Sequence, residues 1–116
     1  SFVDITGLTL NINLPQTSVV LVYAQTCELY SYGDTEFETN EQIVRDGTPI
    51  KVVCFAAAAA NKTQNSAIMV LDVNVAAGNH TYKLQGEIGE NSGTSRWGMY
   101  DWAGGQGEIF AVAFKY

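Results

Sequence analysis

Apolar and polar residues alternate most regularly between Ala67 and Ile88, in the stretch AIMVLDVNVAAGNHTYKLQGEI. The first arm sends Met69, Leu71, Val73 and Val75 to one side and Asp72 and Asn74 to the other. The second arm sends His80, Tyr82, Leu84, Gly86 and Ile88 one way and Thr81, Lys83, Gln85 and Glu87 the other. Side chains alternate across a strand, so both arms predict strands of a sheet with one dry face and one wet face. Ala76-Ala77-Gly78-Asn79 lies between them and supplies Gly and Asn, which take positive φ most readily. The expectation is a β-hairpin.

The same reading extends along the chain. Phe2 to Ile5 is β-prone, and after Gly7 the residues Leu8, Leu10, Ile12 and Leu14 alternate with Thr9, Asn11 and Asn13 up to Pro15, which cannot donate to a ladder. Ser18 to Cys27 is apolar almost throughout and predicts an inner strand covered on both faces. Glu28 to Thr39 reads as an exposed loop running into an edge strand. Asp46-Gly47 sits between two β-prone arms, a strong hairpin signal. Phe55 to Ala60 is read as a strand continuing through the alanines, with a short helical turn as the alternative. Gly89 to Gly107 is glycine-rich and predicts a loop. Glu108 to Tyr116 is apolar on both faces and predicts a strand lying centrally in its sheet. About eight strands with frequent turn signals, and no amphipathic helix, are the signature of an all-β antiparallel sandwich or barrel, and the sandwich is the expected form, in a single domain spanning residues 1–116.

Composition narrows the partners. The 116 residues are 47% hydrophobic and 16% charged, which suits a globular domain with its own core. Net charge is −6 and the six basic residues are scattered, so neither nucleic acid nor an anionic membrane surface is an expected partner. The apolar run at Val52 to Ala60 is too short to span a bilayer, and no membrane insertion is expected. No signal peptide is visible, and the missing initiator Met points to a processed chain or an excised domain. Cys27 and Cys54 read as two buried thiols or as one disulfide; CxxC spacing is absent.

Little in the chain suggests catalysis. The one histidine, His80, lies among apolar neighbours and reads as structural or surface-exposed rather than as a base or metal ligand, and no nucleophile motif selects a serine. Asp34, Glu36 and Glu38 could bind a hard cation, but a solvated acidic edge explains them as well. No catalytic residue, metal or cofactor is assigned. The candidate binding site is the aromatic group in the glycine-rich stretch, Trp97, Tyr100 and Trp102 with Arg96 and Asp101. Such rings either stack on sugars or protein partners, or cap the sandwich and pack between subunits.

The succession VRDGTPIKV, LDVNVAAGNHTYKLQ, a glycine-rich stretch and the terminal EIFAVAFKY resembles the compact jelly rolls at the ends of phage and bacterial fibre proteins. These are related in form to tumour-necrosis-factor-like and complement globular heads. The hairpin motif is Val75-Ala76-Ala77-Gly78-Asn79-His80-Thr81-Tyr82 and the closing aromatic strand ends Phe114-Lys115-Tyr116. The resemblance covers roughly Ser18 to Tyr116. It implies a jelly-roll fold and a homotrimer, with Ala57, Ala59, Phe110, Phe114 and Tyr116 at the subunit contact. It also implies a non-enzymatic virion or extracellular module that recognises a cell-surface receptor or glycan. A purely structural capsid-decoration or adhesin module and a small secreted enzyme are the alternatives.

Overall fold

The computed structural model describes residues 2–32, 37–57, 63–88, 94–98 and 107–115, with backbone alone for 27–32, 37–39, 54–57, 63–65, 88 and 94–98. Eight strands run β1 (Val3–Leu14), β2 (Ser18–Tyr32), β3 (Phe37–Arg45), β4 (Thr48–Ala57), β5 (Thr63–Val75), β6 (Gly78–Ile88), β7 (Thr94–Gly98) and β8 (Glu108–Lys115). They form two antiparallel sheets packed as a β-sandwich. The first sheet has the order β1-β6-β3-β4. In the second, β5 pairs with one side of β2, while β8 and β7 follow one another along its other side.

The dry faces meet between the sheets. Ile5, Leu8 and Leu14 of β1, Ile43 of β3, and Tyr82 and Leu84 of β6 come from the first sheet. Val20, Val22 and Ala24 of β2 with Ile68 and Val75 of β5 come from the second, and Ile109 and Ala111 of β8 pack against them. The alternation expected of β1 and β6 is the alternation observed. Hairpin β3–β4 turns at Asp46 and Gly47, both with positive φ (49° and 82°), as a two-residue turn that matches strand twist requires.

Six expectations are corrected. The arms on either side of Gly78 are not a hairpin: β5 pairs with β2, and β6 pairs with β1 and β3, so the corner crosses from one sheet to the other. Periodicity reports which residues share a face, but it does not report which strand lies alongside. The faces of β5 are also reversed over most of its length. Ile68 and Asp72 are buried, whereas Met69, Leu71 and Val73 are 55–58% exposed. A bulge where Ser18 and Val20 face Val75 and Asp72, with Asn74 at φ 55°, returns Val75 to the core. Central strand β2 is covered on one face only, and β8 is paired with β2 alone among the described strands, at the sheet margin instead of its centre. Residues 28–32 continue β2, and β3 is an interior strand flanked by β4 and β6. Finally, the glycine-rich stretch contains strand β7. The alanine run is a strand as far as Ala57, and Ala58–Ala60 lie outside the described residues.

Candidate functional site

Reversed β5 and one-sided β2 and β8 together create an apolar outer sheet face. Antiparallel register places Met69 beside Tyr23 and Tyr23 beside Phe110, and one step on, Leu71 beside Leu21 and Leu21 beside Val112. Val19 pairs with Phe114, and Val73 completes this third row at the bulged end of β5. Nine apolar or aromatic side chains thus tile the outer face of the sheet in three rows of three. Six of them, Met69, Leu71, Val73, Phe110, Val112 and Phe114, are 43–58% exposed. The rings of Tyr23 and Phe110 meet at a centroid distance of 5.1 Å, and the Tyr23 hydroxyl donates to Gln25 Oε1 at 2.8 Å at the rim. The exposed area is on the order of 600 Å² of apolar surface, at the upper limit of what a monomer ordinarily shows to water.

The outer face of the other sheet has the opposite chemistry. Thr81 Oγ1 donates to Asn11 Oδ1 (2.7 Å), Asn13 Nδ2 to Asn79 Oδ1 (2.6 Å) and Gln42 Nε2 to Gln85 Oε1 (2.7 Å). Asp4 receives Lys83 Nζ at 2.8 Å and Gln85 Nε2 at 2.7 Å, and these hydrogen bonds hold its carboxyl below the ordinary aspartate value. Here the polar groups satisfy one another across the strands. An open cleft by β1 and β6 is lined by Asn11, Ile12, Asn13, Asn79, His80 and Thr81.

Two polar ties cross the core between the sheets. Arg45 Nη1 and the Tyr82 hydroxyl both donate to Asp72 Oδ2, at 2.7 and 2.8 Å. Burial, and then the bond to Asp72, push the Tyr82 phenol well above its ordinary value. Further along, Ser66 Oγ donates to Glu41 Oε1 at 2.6 Å and lies 2.6 Å from Thr26 Oγ1, all three residues being buried. A buried carboxylate needs such donors to remain ionised at acceptable cost. Asp72 therefore faces inward because its partners are inside, although the pattern of β5 alone assigns the inward side to its apolar neighbours.

His80 lies at the corner, with Nδ1 2.7 Å from Asp46 Oδ2 and Nε2 2.7 Å from the Ala76 carbonyl oxygen. Both ring nitrogens are thus engaged by acceptors of the chain itself. Among the described residues no three His, Cys, Asp or Glu side chains gather as a metal site.

The sequence-predicted binding residues are only partly described. Arg96 and Trp97 belong to β7, where their backbones pair with Tyr30 and Leu29. Tyr100, Asp101 and Trp102 lie outside the described residues, as do Asp34, Glu36, Ala59 and Tyr116. Of the expected subunit contact, Phe110 and Phe114 are on the apolar face, whereas Ala57 belongs to β4 in the opposite sheet. Sequence reasoning missed Met69, Leu71, Val73, Val19, Leu21, Tyr23 and Val112 as surface residues. The available signal was that both faces of β2 and β8 are apolar, which marks either a doubly covered strand or a sheet with an apolar outer face. Comparison with protein-family models and with curated proteins finds no match for the chain.

Proposed function

We propose that this chain is a non-enzymatic binding module that assembles with copies of itself through the outer face of the β5–β2–β8 sheet. The observation that carries the reading is the apolar grid centred on Leu21, whose exposed members reach more than half exposure on β5. Its area approaches the roughly 800 Å² that each partner contributes to a standard stable interface. A sheet face of this chemistry is complementary to another of the same kind, since sheets pack face to face through interdigitated apolar side chains.

Three copies, a jelly-roll form and a place on a virion or extracellular surface complete the reading on the strength of the resemblance. In it, receptor or glycan recognition falls to the segment around Trp97, Tyr100 and Trp102. Light scattering on the purified chain at about 10 µM tests the assembly, with a multiple of the 12.6 kDa chain mass expected and a monomer overturning it. A glycan array with the Trp102→Ala variant separates a receptor binder, which loses its signal, from a structural decoration module, which gives none to lose.

A further inference from the structure

The His80 corner places one imidazole between two acceptors. Nδ1 meets the carboxylate of Asp46, which belongs to the β3–β4 turn, and Nε2 meets the carbonyl of Ala76, which belongs to the β5–β6 corner. Each distance is 2.7 Å, a hydrogen-bond length at which one atom of the pair must carry a proton. Carbonyl and carboxylate oxygens carry none, so both protons must come from the ring. A neutral imidazole has a single N–H, whereas the imidazolium has two. Only the charged ring satisfies both contacts.

Asp46 is held in place independently of His80. Its Oδ1 accepts from the Thr81 amide at 2.8 Å and its own amide donates to the Thr81 carbonyl at 2.9 Å, so the turn stays docked on β6. Among the described residues, the contact to Ala76 has no such second support. On loss of one proton, the ring keeps N–H on Nδ1 toward the anionic acceptor, and the bare Nε2 lone pair then points at the Ala76 oxygen. Two lone pairs at that distance repel.

We propose that His80 and Asp46 form a proton-operated latch at the β5–β6 corner, closed while the imidazole carries both protons and released at Ala76 when Nε2 gives its proton to solvent. The charged and titratable groups around it are few. Asp46 favours the protonated ring. Arg45, adjacent to Asp46, opposes it, but its guanidinium is held by Asp72 of β5, which also accepts from Tyr82 of β6. Opposite His80, β1 presents Asn11, Ile12 and Asn13, all uncharged. The hydrogen bond to Asp46, followed by that to Ala76, raises the ring above the ordinary imidazole value of 6.5 against the opposing effect of burial. The latch is therefore closed below the ring's folded-state value, which lies above 6.5, and opens as pH rises through that value. When it opens, the Ala76–Ala77 bend, which joins Val75 paired with Ser18 to Gly78 paired with Leu14, loses its tie to the ring.

The chain has one histidine, so its ring resonances report on this site alone. The experiment is a proton and nitrogen NMR titration of the intact chain, with amide exchange followed at Ala77, Gly78 and Thr81 and corrected for intrinsic base catalysis. The expected result is a ring titration above 6.5, with opening at Ala77 and Gly78 rising on the order of tenfold across it while Thr81 stays protected. Asp46→Asn is expected to bring the ring titration down toward 6.5, and His80→Gln to abolish the pH response of the corner amides. A ring that titrates at or below 6.5 in the unsubstituted chain overturns the proposal. So do corner amides indifferent to the titration, or loss of Thr81 protection in step with Gly78.

Discussion

The two outer faces of this sandwich are built from the same fold and carry opposite chemistry. On the β1-β6-β3-β4 sheet, Thr, Asn, Gln, Lys and Asp side chains point to solvent and bond one another across strands. On the β5-β2-β8 sheet, Val, Leu, Met, Phe and Tyr point to solvent, and among the described residues their apolar atoms meet only their neighbours in the sheet. Burial between the sheets accounts for the inner faces of both, and solvation accounts for the first outer face. Nothing in the folding of one chain requires the second, because exposed apolar area returns no hydrophobic free energy until something covers it. An apolar grid of this size is what the proposed self-assembly would cover.

The largest effect that could break the comparison comes from charging the apolar face. Leu71→Lys with Val112→Lys places two ammonium groups beside Leu21, at the centre of the grid. Buried and unpaired in an interface, such groups cost several kcal/mol, so the variant is expected to lose self-association by at least a hundredfold at unchanged circular dichroism and unchanged monomer stability. Sedimentation velocity over a dilution series measures it. An unchanged association constant would mean that copies meet elsewhere and that this face serves another occupant.

This contrast also explains how much was legible in the sequence. β1 and β6 were readable because their outer residues are polar, so that the dry set, Leu8 and Leu14 or Tyr82 and Leu84, stands out. On β5 the logic inverted. Met69, Leu71 and Val73 outnumber the single Asp72, and alternation alone assigns the three to the core. What decides the matter is Arg45 and Tyr82, far along the chain, which make an inward Asp72 acceptable. For β2 and β8, two apolar faces suggested a layer on each side, but among the described residues only the inner face of each is covered. The Asp46-Gly47 turn was legible because positive φ at both positions is a local demand. The apolar grid went unread for a related reason: aliphatic residues in strands look like a core, whereas aromatic residues in a glycine-rich stretch look like a site.

A second test concerns what keeps β5 facing as it does. Asp72→Ala removes the acceptor shared by Arg45 and Tyr82, leaving a partly buried guanidinium and a buried phenol without it. The expected loss is about 3 kcal/mol, seen as a lower urea midpoint with little change in slope. Tyr82→Phe leaves the Arg45–Asp72 pair in place and is expected to cost about 1 kcal/mol. Equal losses in the two variants would place the stabilisation in the Tyr82 hydroxyl and leave the ion pair without a role in orienting β5.

The smallest effect belongs to the polar face and shows that its network adds solubility more than stability. Asp4 is half exposed where it meets Lys83, so solvent screens the pair, and its contribution is a few tenths of a kcal/mol. Lys83 and then Gln85 depress its folded-state value below 3.8, the carboxyl's ordinary value. A depressed carboxyl stabilises the fold above its unfolded value and loses that contribution as pH falls through the lower folded value. In wild type this loss therefore begins below about pH 4 and is complete only at still lower pH. Asp4→Asn is expected to remove that acid-limb slope while changing stability at pH 7 by less than about 0.5 kcal/mol and leaving association untouched. Thermal unfolding at pH 7 and along the acid limb, paired with sedimentation, reads both quantities. A loss of association in Asp4→Asn would show that the polar face also meets a partner, and the two faces would then differ in chemistry but not in role.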